Sequence, residues 1–390
     1  MSVRSAARLA LLRGLGRALP RSGRRLPFNG RILVLRPDHI GDLLFLTPAL
    51  QELRASLPDA RIVLAVGPWV ASLAHLIPDI DGVEVVPFPG FTRRSKPNVA
   101  QPYLEALRLA RRWRGRFDAC LVAREDHWWG AMVAALAGIP HRIGWRTPET
   151  EPFLTSLRVE DSPRHEVVAN IALGRTLLTQ AGAPPPRTAP DPDSHPVLLR
   201  LPPEVQDRAH GWLQRNLGTD SQFLGVHPGA GTPNKLWPLA RYQTLTRSLS
   251  RRLGLPVVIT GSLEELELVE QLAATCSNAV PAAGEFSLPE LAAVLGRAAL
   301  VAGSDSGPLH LAAAGGAPTV HIYGPADERR FGPWTAPARH RVLVADVPCR
   351  PCNDLWHCSQ HQRPACMREV SAESVVEAAC SLLSDTGPPL

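Results

Sequence analysis

Ala299-Leu-Val-Ala-Gly-Ser-Asp-Ser-Gly-Pro-Leu-His-Leu-Ala-Ala-Ala-Gly-Gly-Ala-Pro-Thr-Val-His-Ile-Tyr-Gly-Pro325 reads as a strand, a tight loop, a short helix and a second strand. Leu300 and Val301 lie in an apolar run of the kind found in buried parallel strands. Ser304 and Asp305 are residue types that cap helix starts, and Pro308 suits a first helical turn. Residues 309–314 then form a helix that Gly315 and Gly316 can end. Residues 319–323 form the next strand. Backbone N–H groups at such a helix start, with little side-chain bulk around them, suit an anion such as a diphosphate. An ordinary βαβ turn punctuated by Gly and Pro has the same local pattern, so this stretch alone decides fold rather than function.

The same alternation extends outward in both directions. In the second half, residues 223–227, 256–260 and 341–344 read as strands, and 239–253 and 263–276 as helices, the first stopped by Gly254. Ser287-Leu-Pro-Glu290 is a capping box that opens a further helix. In the first half, strands are expected at 31–35, 62–66, 83–86, 119–122 and 142–145, with helices over 42–57, 68–76, 101–114, 128–137 and 165–181. Strands alternating with helices predict an α/β protein with two doubly wound parallel sheets. The Pro-, Asp- and Ser-rich segment over 182–203 is the linker, stiffened by its prolines. The expected organisation is a basic extension over 1–30, a Rossmann-like domain over 31–182, the linker over 183–203, a second Rossmann-like domain over 204–345, and a cysteine-containing segment with a C-terminal helix over 346–390. Neither half carries G-x-G-x-x-G with a distal acid, which disfavours hydride transfer from a dinucleotide.

A chain of 390 residues is too long for one typical core. Its formal charge of +6 and pI near 9.2 favour anionic partners: phosphorylated sugars, nucleic acid or an acidic membrane surface. Aromatic residues make up only 5% and nowhere alternate with basic ones, so a single-strand nucleic-acid platform is poorly supported. No apolar run is long enough to span a bilayer. Seven cysteines, an odd number, do not resemble a secreted disulfide framework, and the expected compartment is the reducing cytoplasm. Near the N-terminus, Arg4, Arg8, Arg13 and Arg17 recur at near-helical spacing among Leu9, Leu11, Leu12, Leu15 and Leu19. Residues 1–25 therefore read either as an amphipathic helix lying on anionic lipid or as a frayed basic tail. Arg13 and Arg17 interrupt the apolar core that a signal peptide needs.

The segment from the strand at 31–35 into the following helix places Asp38 and Asp42 at the carboxyl end of that strand, where open α/β sheets bind ligands. Val226-His-Pro-Gly-Ala-Gly231 is a loop off another strand end, followed by Thr232 and Lys235, a mobile charge suited to phosphate. Trp237 reads as a packing residue below that loop. Cys349, Cys352, Cys358 and Cys366, with His357 and His361 among them, have spacing that a structural zinc site can use. Only one short Cys-x2-Cys knuckle is present, and reduced packing cysteines or a local disulfide explain the pattern equally. Cys120, Cys276 and Cys380 sit in apolar contexts and read as core.

Four stretches, in this order, resemble glycosyltransferase family 9, which contains the ADP-heptose:lipopolysaccharide heptosyltransferases. They are Ile32-Leu-Val-Leu-Arg-Pro-Asp-His-Ile-Gly-Asp42; Val226 to Gly231 with Lys235-Leu-Trp237; Asp305-Ser-Gly-Pro-Leu-His310 with Tyr323-Gly-Pro325; and the cysteine segment from Cys349 to Met367. The resemblance covers roughly residues 31–385. It implies the GT-B fold, two Rossmann-like domains with the active site in the cleft between them. It also implies inverting, metal-independent transfer of a heptose-like sugar from a nucleotide diphosphate to a cell-envelope glycolipid, at the inner face of the cytoplasmic membrane. Carried onto this chain, the resemblance makes Asp42 the general base, with Asp38 the runner-up for that role. Gly229, Gly231, Thr232, Lys235, Ser306 and Gly307 then bind the donor diphosphate, with Asp305 fixing the loop and His310 either structural or a donor to phosphate. Gly261-Ser-Leu-Glu-Glu265 resembles a ribose-binding turn, with Glu264 or Glu265 accepting from the hydroxyls. Asp38 and His39 stand where many relatives carry small hydroxyl residues; with Arg124, Arg142 and Arg146 they are candidate acceptor contacts. A first-turn helix carboxylate also accounts for Asp42, Glu264 and Glu265, and a solvated surface for the arginines. The alternatives are transfer of another sugar or to a protein, a same-fold epimerase, a non-catalytic sugar-nucleotide binder, and a zinc-stabilised nucleic-acid-binding protein.

Overall fold

The computed structural model describes residues 9–10, 12–16, 29–91, 100–159, 164–219, 221–358 and 364–386. The chain divides into two units after Asp191. The first contains β1 (Arg31–Arg36), α1 (Ile40–Leu44), α2 (Thr47–Ser56), β2 (Arg61–Val66), α3 (Ala71–Ala74), β3 (Gly82–Val85), α4 (Gln101–Trp113), β4 (Ala119–Val122), α5 (Trp128–Leu136), β5 (His141–Trp145), β6 (Ser156–Arg158) and α6 (Glu166–Ala181). The second contains α7 (Pro203–Leu217), β7 (Leu224–His227), α8 (Leu239–Leu253), β8 (Val257–Gly261), α9 (Leu266–Ala273), β9 (Ala279–Ala283), α10 (Leu288–Leu295), β10 (Leu300–Ser304), α11 (Gly307–Ala314), β11 (Thr319–Tyr323), α12 (Glu328–Phe331), β12 (His340–Val344), α13 (Ala365–Arg368) and α14 (Ala372–Thr386).

Each unit has a six-stranded parallel sheet, ordered β3-β2-β1-β4-β5-β6 in the first and β12-β11-β10-β7-β8-β9 in the second. Read from the other edge, the second order is the first repeated: the first strand of each unit lies at the centre and the order reverses beside it. That reversal makes β1/β4 and β7/β10 the topological switch points, and ligands bind outside the carboxyl ends of strands there. The central strands earn their place by composition. Leu33, Val34 and Leu35 in β1, and Leu300, Val301 and Ala302 in β10, are wholly buried, as a sheet covered on both faces requires.

The structure departs from the expected elements where local chemistry overrides periodicity. The helix expected over 42–57 is two helices. The chain breaks at Phe45–Leu46, Pro48 takes the first turn of α2, and Thr47 Oγ1 donates to Leu44 O at 2.9 Å. The helix expected over 263–276 begins as a 3-10 turn, Leu263–Glu265, closed by a Ser262/Glu265 capping box. β6 (Ser-Leu-Arg) carries no apolar run, and β9 (Ala-Val-Pro-Ala-Ala) is interrupted by a proline. Both are edge strands, and β9 tolerates Pro281 for that reason. α7 begins on Pro203, the last residue of the expected linker. The linker is pinned at both ends, since Arg175 donates to Thr188 O at 2.9 Å and Trp334 Nε1 to His195 O at 2.8 Å.

In the N-terminal extension, residues 12–16 are helical; Leu12 is buried in the first unit's core and Leu15 packs against it. The apolar side of this turn therefore faces protein. Arg4, Arg8, Leu11, Arg17 and Leu19 lie outside the described residues. At the other terminus, Val375, Ala379 and Leu382 of α14 share one core with β7, β8, β10 and β11. A fragment ending at 345 would strip this side of the second sheet.

Candidate active site

At the first switch point, β1 ends in Arg36, which is 2% exposed. Its Nη2 lies 3.1 Å from Asp42 Oδ1 and 3.1 Å from Glu166 Oε1, and its Nε lies 3.0 Å from Asp38 Oδ2. The Nε–Asp38 contact is an ion pair whose direction does not make a hydrogen bond. Nη1 donates to Ala123 O and, at 3.3 Å, to Asn170 Oδ1. One buried cation thus gathers three carboxylates, from the β1–α1 loop, α1 and the start of α6. Burial works against its charge, yet the carboxylates raise the guanidinium further above its ordinary value.

The carboxylates differ in access. Asp38 is buried and is also held by Arg124 Nη1. Burial, helped by the charge of Asp42, pushes its carboxyl up to about 6 against the pull of the two arginines. The Asp42 side chain is 28% exposed. It occupies the first turn of α1, whose cap residue is His39, so its position is that of a first-turn helix carboxylate. His39 is exposed, with its ring 5.8 Å from that of Trp69, and Trp69 Nε1 donates to Asp38 O at 2.6 Å.

The expected acceptor arginines separate. Arg124 joins the cluster through Asp38; its Nε lies 2.6 Å from Asp126 Oδ1 and its guanidinium 5.0 Å from the Phe91 ring centre. Arg142 does not join it. It is buried, and its guanidinium donates to Phe153 O at 2.6 Å and to Ile139 O, which makes it a fastening of β5 rather than an acceptor contact. Arg146 pairs with Glu151 at 3.0 Å on an exposed surface at the end of β5.

At the second switch point, β7 runs into the loop holding Gly229, Gly231 and Thr232. The Glu265 carboxylate lies against Gly229, and a side chain there would have to displace it. Glu265 also accepts from Ser262 N at 2.8 Å, closing its own turn, while Glu264 is exposed on that turn. Lys235 Nζ lies 2.5 Å from Asp305 Oδ2, and His310 Nε2 lies 3.4 Å from Asp305 Oδ1. Asp305 is 4% exposed, yet Lys235 and His310 overcome the effect of burial and hold its carboxyl well below the usual range. Ser306 caps α11 in an extended conformation and Gly307 begins the helix. Ser306 Oγ and Thr232 Oγ1 are buried and have no hydrogen-bond partner among the described residues. Buried hydroxyls in that condition are costly and suit a ligand with acceptor oxygens.

The scaffold behind this site is polar and specific. Tyr242 accepts from Ser304 N at 3.0 Å and lies 2.9 Å from Ser304 Oγ, fixing the end of β10. Trp237 is buried against Tyr242, with ring centres 4.8 Å apart, and donates to Val370 O at 3.0 Å, so it packs below the loop. Thr319 Oγ1 lies 2.7 Å from His321 Nε2 and 2.6 Å from His340 Nδ1. Burial lowers His227, lowers His321 well below its ordinary value, and lowers His340 to about 4.

The cysteine segment buttresses the same loops. Asn234 Nδ2 donates to Asp354 O at 2.9 Å, Asn353 N to Pro325 O at 2.9 Å, and Arg350 Nε to Gly324 O at 2.6 Å. All seven cysteines are free thiols; Cys349 and Cys352 are exposed, Cys358 is half-buried and Cys366 buried. Burial, then the neighbouring Cys349, Cys352 and Cys358, push the Cys366 thiol up to about 11. Among the described residues no group of three or more His, Cys, Asp or Glu side chains is placed to hold a metal, and His361 lies outside them.

The family model described as glycosyltransferase family 9 (heptosyltransferase) matches residues 106–360. The chain belongs to glycosyltransferase family 9. It is a glycosyltransferase with the GT-B pair of Rossmann-like units. Lipopolysaccharide heptosyltransferase 2 of Escherichia coli (strain K12) is 27% identical over 324 residues, covering 80% of this chain and 87% of that one. The crystal structure of the glycosyl transferase family 9 from Veillonella parvula DSM 2008 superposes with a TM-score of 0.75 at 23% identity, covering 93% of this chain and 100% of that chain. The E. coli ADP-heptose LPS heptosyltransferase II gives a TM-score of 0.68 at 23% identity, with 91% and 99% covered. These two structures share the fold of this family 9 enzyme.

Sequence reasoning passed over Arg36, Glu166 and Asn170, which organise the first site. Arg36 stood inside a quoted motif, and its signal was a charged residue closing a buried strand. Glu166 lay without a role of its own in the helix expected over 165–181. Their meeting across 130 residues has no local trace.

Proposed function

We propose that this enzyme transfers a heptose from ADP-heptose to a lipopolysaccharide-core acceptor, with inversion and without a metal, using Asp42 as general base. The names of the E. coli relatives support the sugar, the ADP donor and the lipopolysaccharide acceptor. The observation that carries the chemistry is the difference in access within the Arg36 cluster. Asp38 is 2% exposed and held by two arginines, whereas Asp42 keeps 28% of its side chain open to a substrate hydroxyl.

In the proposed step, the acceptor oxygen attacks the anomeric carbon as its proton passes to an Asp42 carboxylate oxygen. The bond from that carbon to the diphosphate oxygen breaks, and ADP departs with the electron pair. Arg36 holds Asp42 in place from below. The second unit supplies the leaving-group half: the Lys235 ammonium, the hydroxyls of Thr232 and Ser306, and backbone N–H groups from Gly229, Gly231 and the start of α11 at Gly307. Asp305 orients Lys235 and is itself oriented by His310; a carboxylate so placed positions the lysine and does not touch phosphate. Glu264 and Glu265 remain the proposed ribose side of the donor, with Glu265 acting through the Gly229 loop. Asp38, His39, Arg124 and Arg146 are the proposed acceptor side. The proposed site of action is the inner face of the cytoplasmic membrane.

The test is transfer itself. Incubation with ADP-heptose and a heptose-deficient lipopolysaccharide core should add one heptose by mass spectrometry, and ADP should raise the melting temperature more than UDP or GDP does. Stabilisation by UDP with none by ADP would remove the heptose-donor reading and leave the family assignment standing.

A further inference from the structure

A cavity of about 230 Å³ lies in the first unit against the outer side of α6, away from the Arg36 cluster. Arg158 from the edge strand, Arg164 just before α6 and Arg175 within α6 line it, with apolar walls from Val168, Ile171 and Pro190. The arginines are unequally satisfied. Arg175 is paired bidentately with Glu52, at 3.0 and 2.6 Å, and donates to Thr188 O. Among the described residues, the Arg158 guanidinium donates to Thr176 Oγ1, at 3.3 Å through Nη1. Arg164 makes no ion pair among the described residues. The Nε atoms of both Arg158 and Arg164 are buried without a hydrogen-bond partner.

Two arginines lining one small cavity, each with a buried Nε that has no partner among the described residues, are costly unless an acceptor completes them. Guanidinium groups suit phosphate, whose oxygens match their paired N–H directions. The apolar walls suit carbon attached to that phosphate. We infer that this cavity is a binding site for a phosphate ester, separate from the diphosphate site of the second unit. The ester belongs to either a soluble phosphorylated compound or an anionic lipid headgroup. The inference does not depend on which sugar the enzyme transfers.

The test uses the full chain and reads the side-chain Nε–H resonances of Arg158 and Arg164 by NMR during titration with inorganic phosphate. Both signals should shift saturably in the wild type and in Lys235→Ala, which disables the other anion site. In Arg164→Gln the midpoint read on Arg158 should rise roughly ten- to hundredfold, the loss expected for one charge-assisted contact. No saturable shift in the wild type, or an unchanged midpoint in Arg164→Gln, overturns the proposal. Flotation with phosphatidylcholine vesicles carrying phosphatidic acid then separates the sources. Wild type floating where Arg164→Gln does not identifies the headgroup, whereas a saturable phosphate shift with equal flotation of the two identifies a soluble ester.

Discussion

The two switch points of this enzyme are built on opposite charge plans. In the first unit one buried cation, Arg36, is surrounded by Asp38, Asp42 and Glu166. In the second, one buried anion, Asp305, is held between Lys235 and His310. The sheets share one strand order and both sites sit at the carboxyl end of a central strand. The backbone therefore supplies the location, and the side chains at the strand ends decide what each location does. A cation wrapped in carboxylates leaves one carboxylate, Asp42, outermost, where the proposed mechanism has it accept a proton. In the same proposal, the anion wrapped in cations holds the ammonium that meets the departing diphosphate. The proposed mechanism thus puts proton transfer in one unit and leaving-group stabilisation in the other, and it can be broken in either unit separately.

The largest effect is expected at Asp42. Asp42→Asn keeps the size and the hydrogen bond from Arg36 but cannot take a proton, so transfer should slow by roughly a hundred- to ten-thousandfold. Asp38→Asn should be milder, because that carboxylate is buried and held by two arginines. A dead Asp38→Asn beside an active Asp42→Asn, measured by initial rates, would reverse the roles within the cluster.

Next is Arg36 itself. Arg36→Met removes the buried cation that gathers Asp38, Asp42 and Glu166, a change that costs about 3–5 kcal/mol. Calorimetry should show the loss in the first unit. A Met variant as stable as the wild type would mean that Asp38 and Glu166 find other partners. Lys235→Ala follows, with donor affinity falling roughly ten- to hundredfold and Lys235→Arg keeping part of it. Unchanged donor affinity in Lys235→Ala would place the lysine outside the diphosphate site.

The smallest effect concerns pH. His227, His321 and His340 of the second unit are pushed by burial below the ordinary value of about 6.5, His340 to about 4. Each takes up its proton more readily when unfolded, so their contribution is whole above about pH 6.5 and declines as pH falls toward 4. His127, lowered to about 3, is the corresponding buried histidine of the first unit. The second unit should therefore lose stability faster on acidification. His340→Asn should flatten its melting temperature between pH 6.5 and 4.5, and an unchanged slope would remove that histidine from the balance.

How much of this was legible in the sequence follows the range of the interactions. The loop at Asp305, the capping box at Ser287 and the buried central strands rest on neighbours a few residues apart, and residue type at fixed spacing reveals them. The helix break at Phe45 was also written locally, in Thr47 and Pro48, but the apolar period across it was stronger. β6 and β9, short edge strands, one with no apolar run and one interrupted by Pro281, gave no periodic signal. Part of each charge cluster is local, as with Arg36 to Asp42 and Asp305 to His310, but the clusters also join residues 70 to 134 positions apart, as with Lys235 to Asp305 and Arg36 to Asn170, and only the fold could show those contacts. For the same reason Arg142 looked like an acceptor contact until its carbonyl partners were seen.

The central claim is that the two halves of the chemistry are separable, and the affinity of Asp42→Asn for ADP tests it most directly. Titration calorimetry on that variant, alongside wild type and Lys235→Ala, needs no acceptor and no turnover. The account predicts that Asp42→Asn binds ADP within about twofold of wild type while Lys235→Ala is weakened roughly tenfold or more. A loss of ADP affinity in Asp42→Asn as large as that in Lys235→Ala would contradict it.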